Sequence, residues 1–167
     1  MSDVDLVDRV RRVLAANHYM VLGTADGAGR PWAAPVFYVA DACRAFSWIS
    51  SPDVRHSRNL AARPELSIVV FDSTAPVGTG DEGAVYMEAT AAEVPAGDLD
   101  GVFAGSPGLA AGFGRDLGPA DLRDPAPYRL YTAVVSAHWV ICPRPAGVPC
   151  SAHGLRHDHR TPVVLPG

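Results

Sequence analysis

Trp48-Ile49-Ser50-Ser51-Pro52-Asp53-Val54-Arg55-His56-Ser57-Arg58-Asn59-Leu60 is the stretch from which both the fold and the chemistry of this chain are best read. Trp48 and Ile49 close a short apolar and aromatic strand that begins at Ala45. Ser50-Ser51-Pro52-Asp53 breaks that strand and offers capping groups to a short helix running through Leu60 and Ala62, which Pro64 terminates. Two serine hydroxyls and three cationic or potentially cationic side chains, Arg55, His56 and Arg58, therefore gather at a strand-to-helix junction. Helix N-terminal N–H groups and the helix dipole favour an anion there, and arginine adds a bidentate clamp whose charge is independent of pH. Taken alone, the same residues read more readily as a helix capped by Ser51 or Asp53 with Arg55 and Arg58 solvated.

Working outward, Leu6, Val7, Val10, Val13 and Leu14 recur at helical spacing behind a Ser2/Asp5 pair that resembles a capping box, so the chain opens with an amphipathic helix. Tyr19 to Ala25 is β-prone, and Asp26-Gly27-Ala28-Gly29 turns it into a second strand over roughly 30–39. Residues 41–44 turn again into the strand that ends at Ile49, which makes a meander. After Pro64, Leu66 to Phe71 is a continuous apolar strand, 72–83 is a loop rich in Pro, Gly and Thr, and further strands cover 84–94 and 128–141. Residues 97–123 are rich in Ala and Gly with a weak helical pattern and are expected to hold helix. The sum is a mainly β domain with accessory helices, expected to be a six-stranded antiparallel barrel, because closure removes exposed sheet edges. Residues 1–142 form that domain, and 143–167 form a Pro- and His-rich extension expected to pack on it or to be partly disordered.

The chain has 167 residues, enough for one domain with a real core. Hydrophobic residues make up 48% and charged residues 19%, and the formal net charge is -4, so no broad basic face exists for nucleic acid. All 14 basic residues are arginine, which leaves any anion site to Arg, His or backbone N–H groups. No run approaches the length of a membrane span, and the N-terminus lacks the pattern of a signal sequence, which points to a cytoplasmic protein without membrane contact. Cys43, Cys142 and Cys150 have no CxxC spacing and are expected to be reduced thiols.

In order, the leading helix, the GTADGAGRP turn, APVFYV and WISSPDVRHSRNLAARPELSIVVF resemble the flavin-binding split β-barrels related to pyridoxamine 5'-phosphate oxidase. The resemblance covers roughly residues 4–142. It implies a homodimer with flavin mononucleotide (FMN) at the subunit interface and a small-molecule substrate. Arg55 and His56 fall on the pair that grips the flavin phosphate, with Arg58 close by, and Ser50 and Ser51 fall on the polar pair near the ring and ribityl chain. Pro35, Val36, Phe37 and Tyr38 match the strand whose backbone lies along the isoalloxazine edge. RLYTAVVSAHWVICP resembles the closing strand, which makes Arg129 the counterpart of an arginine that reaches the flavin across the dimer.

The departures are as informative. Ala34 and Val39 stand where the true oxidase carries cations, and Val54 and His56 replace the Ser and Lys of its Ser-Arg-Lys triplet, so pyridoxamine phosphate is not the expected substrate. The charge of His56 is conditional, since an unperturbed imidazole titrates at about 6.5. The implied function is a flavin-dependent oxidoreductase acting on an unidentified small molecule, with no catalytic residue assigned because the cofactor carries the hydride chemistry. The alternatives are a deazaflavin-dependent reductase, whose wider basic groove would draw on Arg55, Arg58 and Arg30, and a non-catalytic flavin or haem module with His56 or His138 as axial ligand. A barrel that has lost its cofactor site is a further alternative. Trp32, Trp48, Phe37 and Tyr38 are candidates to line an apolar pocket over the ring, although aromatic strand residues more often serve as core.

Cys150, His153, His157 and His159, with Cys142 upstream, have spacings that metal ligation tolerates but that match no finger pattern. A polar His-rich tail accounts for the same residues, and no metal is assigned. HDHRTPVVL also resembles the terminal extension of the family, where an Arg-Pro-Val run docks on the barrel. His18 and His138 are expected to be structural.

Overall fold

In the computed structural model, which describes residues 3–74, 76, 83–106, 108–113, 117–142 and 147–166, the opening segment forms helix α1, Asp3–Ala16. Its periodic side chains Leu6, Val7, Val10, Val13 and Leu14 are all buried, as expected when one helical face docks on a sheet. Ser2, the expected cap, lies outside the described residues, as does most of the 72–83 loop.

The strands are β1 (Tyr19–Ala25), β2 (Pro31–Phe37), β3 (Val39–Asp41), β4 (Ala45–Ser50), β5 (Glu65–Phe71), β6 (Ala84–Glu93), β7 (Arg129–Ile141) and β8 (Arg160–Val163). Their order is β2-β1-β5-β6-β7-β4-β3, with β8 on β7, and every pairing is antiparallel. The two ends of that order, β2 and β3, are separated only by Tyr38, so one run of chain pairs with β1 at its start and with β4 at its end. The sheet thereby closes on itself. Among the described residues, eight strands replace the expected six because this stave is interrupted at Tyr38 and because the C-terminal extension adds β8. The 13-residue β7 makes the second addition possible. Along one edge it pairs β4 from Arg129 to Val134 and β8 from His138 to Ile141, while β6 occupies the other.

Strand alternation places Met20, Leu22, Phe46, Trp48, Ile68, Val70, Val85 and Met87 inside. Burying side chains of this size contributes about 1.5–3 kcal/mol each. The expected helix in 97–123 is three short pieces instead: α3 (Leu99–Gly105), α4 (Gly108–Gly112) and a 3-10 turn at Pro119–Leu122. Its glycines make one long helix costly. The pieces fold around Leu99, Leu109, Leu117, Leu122 and Leu130, a second small core that reaches Val39 and Ile49 at the barrel wall. Among the described residues, no helix is long and apolar enough to cross a membrane.

Candidate functional site

The junction after β4 is built as strand, polar turn and helix, with α2 spanning Arg55–Ala62. The residue at its N-cap is Val54, in extended conformation, and no side chain accepts a hydrogen bond from the first turn. Ser51 and Asp53 do not cap the helix as the sequence suggested. Ser51 Oγ instead accepts from Asp53 N at 3.2 Å within the turn. The free N–H groups at the start of α2 thus keep their capacity for an anion.

Arg55 is half-buried, with its guanidinium 4.5 Å from the centroid of the exposed Trp32 ring. That cation–π contact holds the head of the side chain beside β2 while leaving its N–H edge available. Arg58, one helical step further, is exposed.

His56 points inward. It is buried, its Nε2 lies 2.8 Å from Ser50 Oγ, and burial lowers its pKa below the ordinary imidazole value. At neutral pH it therefore supplies a hydrogen-bonding ring rather than the second positive charge expected from its position. Asn59, also on the buried face of α2, donates to Thr24 Oγ1 at 3.0 Å, and Thr24 donates to the Trp32 carbonyl at 3.3 Å. These bonds lock α2 to β1 and β2, which fixes where the helix N-terminus lies. Ser57 Oγ is buried without a hydrogen bond of acceptable geometry, although it lies close enough to Tyr131 to bias that phenol's ionisation.

The β2 residues divide by parity. Pro35 faces outward, Phe37 is half-exposed, and Val36 is buried. Tyr38, expected with them along the cofactor, is buried at the break between β2 and β3 and donates its hydroxyl to the Leu14 carbonyl at 2.8 Å. Trp48 is fully buried as well. Tyr38 and Trp48 belong to the buried core, whereas Trp32 and Phe37 line surface pockets. A broad groove of about 920 Å³ runs over the barrel exterior from Trp32 and Ala33 across Gly23 and Ser67 to Glu88 and Ser136. Its floor is made of small side chains, and Gly23 and Ser67 approach so closely that a Cβ on Gly23 would stand 2.3 Å from Ser67 Oγ.

Arg129 is engaged within its own chain. Its guanidinium pairs with Asp124, lies 3.6 Å from Glu93 Oε1, and donates to the carbonyls of Ala126 at 2.6 Å and Tyr128 at 2.8 Å. These partners sit just before β7 and at the end of β6, a juxtaposition that no short motif announces. The Arg55–Trp32 pair was also missed from sequence, since it joins two positions 23 residues apart (55 − 32) that only closure of the barrel brings together.

At the far end of β7, Cys142, Cys150, His153 and His159 direct one ligand atom each toward a common point, all within 4.8 Å of one another. His157, considered with them from sequence, contributes its carbonyl to His159 Nδ1 at 3.0 Å instead.

A family model described as pyridoxamine 5'-phosphate oxidase matches residues 6–136. No curated protein sequence matches the chain. Among solved structures, a haem binding protein from Mycobacterium smegmatis is 20% identical with a TM-score of 0.64, over 97% of this chain and 58% of that one. This chain therefore spans little more than half the length of that protein. A FAD-binding protein from Mesorhizobium loti is 20% identical with a TM-score of 0.59, over 83% of this chain and 92% of that one. An F420 reductase is 20% identical with a TM-score of 0.51, over 72% of this chain and 88% of that one. Identities this low carry the split-barrel fold and nothing about ligand or reaction.

Proposed function

This chain belongs to the pyridoxamine 5'-phosphate oxidase family, and from that premise we propose that it holds FMN at the β4–α2 junction and works as a homodimeric, flavin-dependent oxidoreductase on a small organic molecule. The observation that carries this reading is the uncapped first turn of α2 beside Arg55. A phosphate monoester needs N–H donors and positive charge in one place, and this junction offers both.

The donor set suits one phosphate group. Arg55 supplies the permanent charge and the α2 amides supply directed donors. Ser51 keeps its O–H as a donor, because its oxygen already accepts from Asp53 N. With His56 held neutral, its Nε2 and Ser50 Oγ satisfy each other at 2.8 Å. Ala34 is buried, and His56 is uncharged, so a second phosphate finds no comparable clamp here. That supports a substrate other than pyridoxamine phosphate. Pro35 and Phe37 give the outer side of β2 an apolar surface suited to a flat ring, and their backbone gives it polar atoms along one edge. When bound, the flavin supplies hydride transfer, so the protein's contribution is position and hydrogen bonding.

The deazaflavin alternative asks Arg30, Arg55 and Arg58 to line one basic groove, and Arg30 is already paired with Asp26 at 2.8 Å. For haem, His56 and His138 both have Nε2 in a hydrogen bond, to Ser50 Oγ and to the Cys43 carbonyl, each at 2.8 Å. FMN fits the junction better than either.

The test is an absorption scan of the freshly purified protein, then separate titrations with FMN, F420 and haemin, with light scattering for the oligomeric state. The expected result is flavin bands and an FMN affinity that falls at least about tenfold in Arg55→Ala, the scale of one charge-assisted phosphate contact. Absence of FMN binding, or binding indifferent to Arg55, overturns the assignment.

A further inference from the structure

We propose that Cys142, Cys150, His153 and His159 bind one zinc ion as a closed, structural site that fastens the C-terminal extension to the barrel. The four ligands come from three separate pieces of chain. Cys142 directly follows β7, Cys150 and His153 sit on a turn, and His159 directly precedes β8. Each piece is placed by backbone bonds. Cys142 N donates to the His159 carbonyl at 2.8 Å, which continues the β7–β8 ladder by one step and sets those two ligands side by side. Cys150 N donates to the Leu155 carbonyl at 2.8 Å and Gly154 N to the Cys150 carbonyl at 2.7 Å, and Gly154 has a φ of +68°. That tight turn returns His153 over Cys150.

The distances made by His153 match the ion, and the two sulfurs stand closer together than its ideal edge. Zinc bonds of about 2.3 Å to sulfur and 2.0–2.1 Å to nitrogen give tetrahedral edges of roughly 3.8 Å for S···S, 3.5 Å for S···N and 3.3 Å for N···N. Here Cys142 Sγ lies 3.2 Å from Cys150 Sγ, His153 Nδ1 lies 3.5 Å and 3.4 Å from the two sulfurs, and His159 Nε2 lies 3.1 Å from His153 Nδ1. The separations from His159 to the sulfurs fall within 4.8 Å. A pair of thiolates with a pair of imidazoles is a donor set that selects zinc over the hard cations.

The surroundings support a metal over two competing accounts. His159 Nδ1 lies 3.0 Å from the His157 carbonyl, so Nδ1 carries the proton and the lone pair of Nε2 faces the cluster, the outer-shell bond typical of a ligating histidine. A Cys142–Cys150 disulfide requires about 2.05 Å between sulfurs and would leave two imidazoles aimed at the cluster without a purpose. A metal-free cluster of S–H and N–H contacts would have to order 147–158 almost unaided, because Cys150 is the only buried residue in that stretch. A short segment without an apolar core is the setting in which a metal supplies the missing cross-link.

Metal content of the reduced, full-length protein is the primary measurement, followed by cobalt(II) titration of protein stripped of metal. The expected results are one zinc per chain and an intense visible spectrum of tetrahedral cobalt with thiolate charge-transfer bands. Cys150→Ser and His153→Ala lie on the surface turn, and with the far-ultraviolet dichroism of the barrel unchanged each should weaken cobalt binding by more than the roughly 10–100-fold that loss of an outer-shell partner costs. Hydrogen exchange at residues 160–163 should speed up on metal removal. A chain without zinc after supply of the ion under reducing conditions, a cobalt spectrum lacking thiolate bands, or unchanged affinity in both variants overturns the proposal.

Discussion

Ser50 and His56 share a 2.8 Å hydrogen bond, Oγ to Nε2, that joins the end of β4 to the first turn of α2 in a buried position. Burial holds the imidazole pKa below its ordinary value, and burial does the same for His138 on β7. In the unfolded chain both would take up a proton at about 6.5. The unfolded state therefore binds more protons than the fold just below that pH, so stability is complete above it and is lost as pH falls through it. Thermal melts at steps from pH 7.5 to 5 should show this decline, with His56→Gln shallower than the wild type and His138 accounting for the remainder. An identical slope in His56→Gln would show that burial does not hold the His56 ring neutral.

The ion pairs of Arg129 make a second expectation. The side chain is only 16% exposed and ties Asp124, Glu93 and two carbonyls before β7. Arg129→Ala removes all of these at once, so it should cost about 1–3 kcal/mol of stability. FMN affinity should change less than twofold. An affinity loss larger than the stability loss would return Arg129 to the cofactor, the role suggested by its place in the closing strand.

The difference between the two arginines follows from where their partners lie. Arg55 belongs to a local pattern, strand then Ser-Ser-Pro-Asp then helix, in which its place at the start of α2 follows from neighbours in sequence. The partners of Arg129 depend on β6 meeting β7 and on the chain before β7 doubling back, neither of which has a local signature. The same division runs through the fold. The hairpin at Asp26-Gly27-Ala28-Gly29 was legible because Gly29 takes a φ of +82° and Asp26 Oδ1 accepts from the backbone of Ala28 and Arg30. Docking of the extension on the barrel was expected from the resemblance, but the register of β8 on β7 was not legible, and with it went the meeting of Cys142 and His159.

Trp32 is expected to act on the cofactor through Arg55 rather than by direct contact. The guanidinium rests over its ring at 4.5 Å, a contact worth about 0.5–1 kcal/mol where solvent has access. Trp32→Leu should weaken FMN binding roughly 2–5-fold and leave the wild-type flavin spectrum in place, whereas Arg55→Ala should cost more. In the double variant the two effects should be less than additive, because loss of Arg55 removes what Trp32 positions. Full additivity would mean that Trp32 touches the flavin itself.

The turn between β3 and β4 carries a last expectation. Ala42 and Cys43 have φ of +46° and +59°, left-handed values at both central residues of the turn that Arg44 N closes onto the Asp41 carbonyl, yet neither is glycine. An L side chain in that region costs about 1–2 kcal/mol, and glycine gives back part of the gain through its greater freedom in the unfolded chain. Cys43 has a second duty, because its carbonyl meets His138 Nε2 and its side chain packs on the core. Ala42 is exposed and has no such duty, so it is the position at which relief is separable. Ala42→Gly should stabilise by about 0.5–1 kcal/mol, a rise of roughly 1–4 °C in Tm for a domain of this size. Ala42→Val should do the reverse, because a β-branched side chain tolerates the left-handed region least. A fall in Tm with glycine would show that the β3–β4 pairing, Val39 to Ser47 and Asp41 to Ala45, sets the turn without strain at Ala42.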